Sequence, residues 1–140
     1  MENNYKRTER WLYHRSALIA RIENLKREYK NKELEAEGEG IDYSKDKLCQ
    51  TYKFNSTTEN IAMALTQLNM MIESLQSRID IMDRSLKTLS EDERKIVELK
   101  YFESQPWFNI AYEVKQSEST CKRHRKNAIE KLMFAIFGEE

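Results

Sequence analysis

The chain has 140 residues, and its 24 basic and 24 acidic side chains cancel to a formal net charge of zero. Overall charge therefore marks neither a nucleic-acid binder nor a membrane-surface protein, and any binding surface must come from local segregation. Three glycines and one proline are too few for a turn-rich all-β protein, and 34% charged beside 39% apolar residues is the balance of long, half-exposed helices, so the expected class is all-α.

From about Thr8 to Ala36 the chain is rich in helix formers and free of Gly and Pro, with Trp11, Leu12, Leu18, Ile19, Ile22, Leu25 and Tyr29 gathered on one face. A first long helix is expected there, stopped by Gly38-Glu39-Gly40. Residues 37–55 follow neither period and read as a long loop, with a short ordered turn at Ile41 to Tyr43. Ser56-Thr57-Thr58-Glu59 has the capping-box pattern and predicts the start of a second long helix over about 57–88. Ile61, Leu65, Leu68, Ile72, Leu75, Ile79, Met82, Leu86 and Leu89 then recur in alternating steps of four and three, which is a coiled-coil seam. The first of these positions, Ile61 to Met82, are the predicted oligomerisation residues. The two long helices are expected to pair as an antiparallel hairpin. Met63, Ala64 and Met71 widen the apolar face beyond one partner's reach, so helices from a second subunit are the simplest cover. Met63, Met70, Met71 and Met82 are read as core or subunit contacts rather than as an adaptable binding groove.

Ser90-Glu91-Asp92-Glu93 is a second capping box, with acidic residues at the positive end of a helix that runs to about Phe102. Pro106 suits the start of a short helix from Trp107 to Glu113, on which Trp107 and Phe108 read as packing residues. Ser117 is the expected N-cap of a last helix that ends at Gly138. Ile110 to Arg125 thus has the layout of two helices joined by a turn of about four residues, with small Ala111 at the crossing and Ile110, Val114 and Cys121 spaced to seal it. On the last helix Cys121, Ala128, Ile129, Leu132 and Ile136 should face the core, leaving Ser119, Lys122, Arg123 and Lys126 outward. From Lys115 to Lys131 six Lys or Arg stand against two acidic residues, the segregation that groove binding requires. The predicted DNA-binding residues are Lys115, Ser117, Ser119, Thr120, Lys122, Arg123, Arg125 and Lys126. Ser119, Lys122 and Arg123 are assigned to base edges, and Arg125 and Lys126 to phosphate.

Residues 89 to 132, through Leu-Ser-Glu-Asp-Glu-Arg, Ile-Val-Glu-Leu-Lys-Tyr-Phe, Asn-Ile-Ala, Ser-Glu-Ser-Thr and Ala-Ile-Glu-Lys-Leu, resemble the promoter-reading fourth region of sigma factors. The order of the whole chain, a leading helix, a polar loop, a Ser/Thr-rich start to a long helix and the sigma-like end, resembles phage regulators of the RinA and ArpU family. That resemblance implies a phage or prophage activator of late genes for packaging, structure or lysis, working in the cytoplasm of a bacterial host, with RNA polymerase as a further candidate partner. Sigma-like turns commonly carry Gly at the position of Lys115, where a lysine in left-handed geometry costs roughly 1 kcal/mol.

The expected organisation is a helical oligomerisation region over 1–89 and a helix-turn-helix domain over 90–140, acting on double-stranded DNA as a homo-oligomer, with a dimer favoured. A phage small terminase subunit-like packaging protein and a coiled-coil adaptor without DNA binding are the alternatives. No enzyme is expected, because no nucleophile has a base and orienting partner and no Gly-rich phosphate loop exists. Cys49 and Cys121 follow no paired spacing, and Cys121-x-x-His124 lacks a second half, so neither disulfide, metal nor cofactor is expected. The first residues hold no apolar stretch of signal or membrane-spanning length, which makes a soluble intracellular protein the expectation.

Overall fold

The computed structural model describes residues 3–39 and 47–138, with side chains for 3–38 and 58–138. The described residues are helical, with no strand among them: α1 (Asn4–Tyr13), α2 (Arg15–Glu39), α3 (Lys47–Leu86), α4 (Glu91–Val97), a π-helical turn (Glu98–Phe102), α5 (Trp107–Val114) and α6 (Glu118–Phe137). The all-α expectation is met.

The first long helix differs from its expected form. It starts earlier, capped by the Asn3 side chain, which accepts from the Lys6 N–H at 2.9 Å. It is also broken at His14, whose φ of −91° and ψ of 4° leave the α region. Hydrogen bonds from His14 N–H to the Arg10 carbonyl (3.0 Å) and from Leu18 N–H to the His14 carbonyl (2.9 Å) run on through the joint. The described part of α2 runs to Glu39, within the Gly38-Glu39-Gly40 segment expected to stop it.

The expected 37–55 loop is corrected more heavily. Backbone from Lys47 onward is already helical, so Ser56 to Glu59 lies inside α3 and does not begin it. A Ser hydroxyl can cap only where the residue before the helix is extended, and Lys47 to Asn55 contains no Gly or Pro to break the run. The turn expected at Ile41 to Tyr43 lies outside the described residues.

Two compact units divide the chain, one made of residues 1–18 with 78–140, the other of residues 19–77. The unit that holds α4 to α6 is thus larger than residues 90–140, because α1 and the end of α3 belong to it. Its main core packs Leu12, Met82, Leu86, Leu89, Val97, Tyr101, Ala128, Ile129 and Leu132. A smaller cluster joins Ile96, Leu99, Ile110 and Cys121, flanked by Trp107, Ala111 and Val114. The π-helical turn lets one stretch of chain feed both clusters, Ile96 and Leu99 into the smaller, Val97 and Tyr101 into the larger. Its wide ring closes through Glu103 N–H to the Glu98 carbonyl at 3.0 Å.

Met82 accordingly is not an oligomerisation residue. It is fully buried in the main core, and Ile79, one turn earlier, is also buried. Within residues 19–77, Ile22, Leu25 and Ile61 are buried, while Leu65, Leu68, Ile72 and Leu75 are half-buried. Lys26, Tyr29 and Glu33 of α2 line a shallow hollow together with Asn69 and Ile72 of α3.

Polar contacts tie the first unit's elements together. Ser90 and Glu93 form the expected capping box, with Glu93 N–H donating to Ser90 Oγ (3.3 Å) and Ser90 N–H to Glu93 Oε1 (3.0 Å). Lys131 Nζ of α6 also donates to Glu93 Oε1 at 2.8 Å. Burial alone would raise the Glu93 carboxyl, but the bonds from Lys131 and Ser90 outweigh it and hold the group below its ordinary value. Tyr101 donates to Glu9 of α1 at 2.7 Å; its burial, with Glu9 beside it, pushes the phenol well above its usual range.

Candidate nucleic-acid interface

The site is built on the corner between α5 and α6. Helix α5 ends because Lys115 turns left-handed, at φ 62° and ψ 41°. Its N–H and that of Gln116 both donate to the Ala111 carbonyl, the latter at 3.2 Å being the six-to-one bond of a Schellman closure. Lysine thus occupies a backbone geometry that favours glycine. Ser117 then opens α6 from extended geometry, its hydroxyl accepting from the Thr120 N–H at 3.2 Å and donating to Thr120 Oγ1 at 2.8 Å. Between these two helices the chain turns within three residues, Lys115 to Ser117.

The corner is held from below. Ile110 and Cys121 are fully buried where α5 and α6 meet, with Val114 and Ala111 packed beside them. Gln116 Nε2 donates to Asp92 Oδ2 of α4 at 3.2 Å. Burial pushes the Cys121 thiol up, and Glu118 and Asp92 add to the effect, so it stays protonated and serves as a small apolar side chain. Among the described residues no group of three or more His, Cys, Asp or Glu is arranged to hold a metal, and no helix is long and apolar enough to cross a membrane.

Since Cys121, Ala128, Ile129 and Leu132 bury one side of α6, the residues opposite them must point out. Ser119, Lys122, Arg123 and Lys126 are all exposed and lie within an arc of about 100° on the helix, along about 10 Å of its axis. Lys115 and Ser117 are exposed at its foot, and Thr120 is half-buried on its flank.

Arg125 departs from the phosphate role expected of it. It lies off this arc, half-buried, with NH1 4.0 Å from Glu9 Oε2 and its guanidinium 5.2 Å from the centre of the Trp107 ring. Its Nε is buried without a hydrogen-bond partner. Arg125 is therefore a packing and orienting side chain of the unit.

One residue, Lys100, escapes a reading of the sequence alone. Lys100 Nζ, from the π-helical turn, lies 5.0 Å from the Trp107 ring centre and Lys122 Nζ 5.8 Å from it. With Arg125, three cations surround one indole, which carries the positive surface of α6 across to the π-helical turn. The sequence signal was the aromatic itself: a tryptophan at the start of a helix beside a basic segment. Which cations reach it depends on how α5 and α6 cross. Acidic groups bound the site on one side, namely Glu118 in the first turn of α6 and Asp92 on α4.

The chain belongs to the family described as "Protein of unknown function (DUF722)", whose model matches residues 5–133. No curated protein and no solved structure matches the chain.

Proposed function

We propose that the protein is a sequence-specific regulator of transcription that binds double-stranded DNA through α5 and α6 acting as a helix-turn-helix. In this reading α6 lies in the major groove, Ser119, Lys122 and Arg123 contact base edges, and Lys115, Lys126 and Lys100 neutralise phosphates. Arg125 and Trp107 stiffen the platform. Helices α2 and α3, paired antiparallel, form the stalk through which two copies join, so that two readers engage adjacent half-sites. The resemblance to the fourth region of sigma factors and to RinA and ArpU regulators extends the reading to a phage or prophage activator of late genes in the bacterial cytoplasm, with RNA polymerase as a partner. One observation carries the proposal: a tight corner, capped on both sides, from which an arc of Ser and basic side chains projects into solvent while the opposite side of the same helix is sealed in the core.

Mapping of occupied sites across the host genome, with transcripts measured in the same cells, tests it. A discrete peak upstream of a late operon, lost together with that operon's transcript when Lys122 and Arg123 are replaced by Ala, is the expected result. Occupancy without sequence preference, by a ring of about eight or more copies, would replace regulation with DNA packaging.

A further inference from the structure

Helix α3 carries a second seam, on the side opposite the one that faces its own chain. Met63, Gln67, Met70, Ser74 and Ser77 recur in steps of four, three, four and three, the spacing of a coiled-coil contact line. At 3.6 residues per turn they lie about half a turn away from Ile61, Leu65, Leu68, Ile72 and Leu75. All five are exposed, and Met63 and Met70 expose 62% and 63% of their surface.

The charge pattern points to an occupant. Residues 60–77 hold one charged side chain, Glu73, whereas residues 19–39 of α2 hold eleven. Glu73 lies on the flank of the second seam and accepts from Asn69 Nδ2 at 3.3 Å. Depletion of charge and enrichment of Met are two marks of a protein contact surface, here concentrated on the Met63 to Met70 half of the seam, whereas Ser74 and Ser77 at the other end are of a type depleted there. A partner of opposite charge would leave a complementary charged face here, and none is present. A two-fold contact sets a surface against itself, which a neutral surface permits and a like-charged one opposes.

We propose that the second seam of α3, centred on Met70, is the contact through which two copies of this chain associate. This deepens the oligomeric part of the proposed function, replacing as the subunit contact the Ile61-to-Met82 line, of which Ile61, Ile79 and Met82 are buried and Leu65, Leu68, Ile72 and Leu75 half-buried within the chain. It does not depend on DNA reading. Because Met70 is the middle of the five positions, a two-fold contact brings it against its own copy whether the paired helices run parallel or antiparallel. From Met63 to Ser77 the strip is about 21 Å long and one helix wide, smaller than the roughly 800 Å² per partner of a standard stable interface. Association is therefore weak and concentration-dependent.

Sedimentation of the full chain without DNA, from low micromolar to near-millimolar concentration, tests the contact. Wild type is expected to pass from monomer to dimer, and Met63→Glu with Met70→Glu to weaken association by at least about tenfold, since like charges facing each other across an interface oppose it. Circular dichroism of the double variant should be unchanged, because both side chains are exposed. In a Cys49→Ser background, Met70→Cys should form a disulfide-linked dimer on mild oxidation and Arg27→Cys, on α2, should not. Wild type that stays monomeric at the highest concentration overturns the proposal. So does an assembly of any size that survives the double glutamate variant, or a dimer that Met70→Cys fails to link. DNA binding by such a protein would be untouched by these results, so the two readings fail separately.

Discussion

Replacing Lys115 by Gly should stabilise the protein and, on the proposed reading of α6, weaken its binding to duplex DNA. Lys115 sits at φ 62° and ψ 41°, where an L-residue with a Cβ is penalised by about 1–2 kcal/mol. Glycine removes that penalty and returns about 0.4–1 kcal/mol of it through the added freedom of the unfolded chain. The side chain is exposed, so little packing is lost, and the net gain is about 0.5–1 kcal/mol. For a unit of this size that raises the midpoint of thermal unfolding by roughly 2–8 °C. Both tryptophans, Trp11 and Trp107, lie in the unit concerned, so their fluorescence reports its melting directly. Lys115→Ala serves as the control, since it removes the charge and keeps the strain. On DNA, both variants should show a salt dependence shallower by about 0.9 in the slope of log K against log salt, the share of one phosphate contact. A midpoint that stays level or falls with Gly, while Ala behaves the same, would refute the strained closure of α5. An unchanged slope would remove Lys115 from the DNA face.

Met82→Ala should destabilise the unit of residues 1–18 and 78–140 by about 2–5 kcal/mol in denaturant unfolding, as expected for truncating a buried core side chain; lost assembly at unchanged stability would return Met82 to the subunit contact. Glu93 has its folded-state pKa lowered, so its contribution to stability is complete above the unfolded-state value and is lost as pH falls through the folded one. Glu93→Gln should therefore lower stability at neutral pH and flatten the acid limb of the stability profile; parallel curves for the two proteins would contradict this. Lys126→Ala should reduce the salt slope of DNA binding by about 0.9 without affecting stability, whereas Arg125→Ala should lower stability and leave the slope almost as it was. A slope change equal to that of Lys126→Ala would place Arg125 on phosphate after all.

The parts of the fold legible in the sequence are those decided within a few residues. Ser90 with Glu93, and Ser117 ahead of α6, announce their caps because the bonds they make span three residues. The inward set Cys121, Ala128, Ile129 and Leu132 follows from helical spacing alone. What was illegible needed partners from elsewhere in the chain. Nothing local marks Met82 as core rather than seam, because the same step pattern serves both, and only α1, α4 and α6 closing over it decide. The misplaced start of α3 has the opposite cause: Ser56 to Glu59 carries a valid local motif, overridden because the residues before it are themselves helical. Arg125 looked like a phosphate ligand until Glu9, from the far end of the chain, came to lie beside it. The Lys100, Lys122 and Arg125 grouping on Trp107 likewise exists only once α5, α6 and the π-helical turn have packed.

Binding of duplex DNA by the exposed arc of α6, as proposed, is tested by a low-salt gel-shift titration of the full chain against its Lys122→Ala, Arg123→Ala variant. Wild type is expected to retain duplex DNA and to lose it steeply as salt rises, and the variant, folded as judged by circular dichroism, to bind at least about tenfold more weakly. Equal retention by the two proteins, or no retention by wild type at low salt, would contradict it.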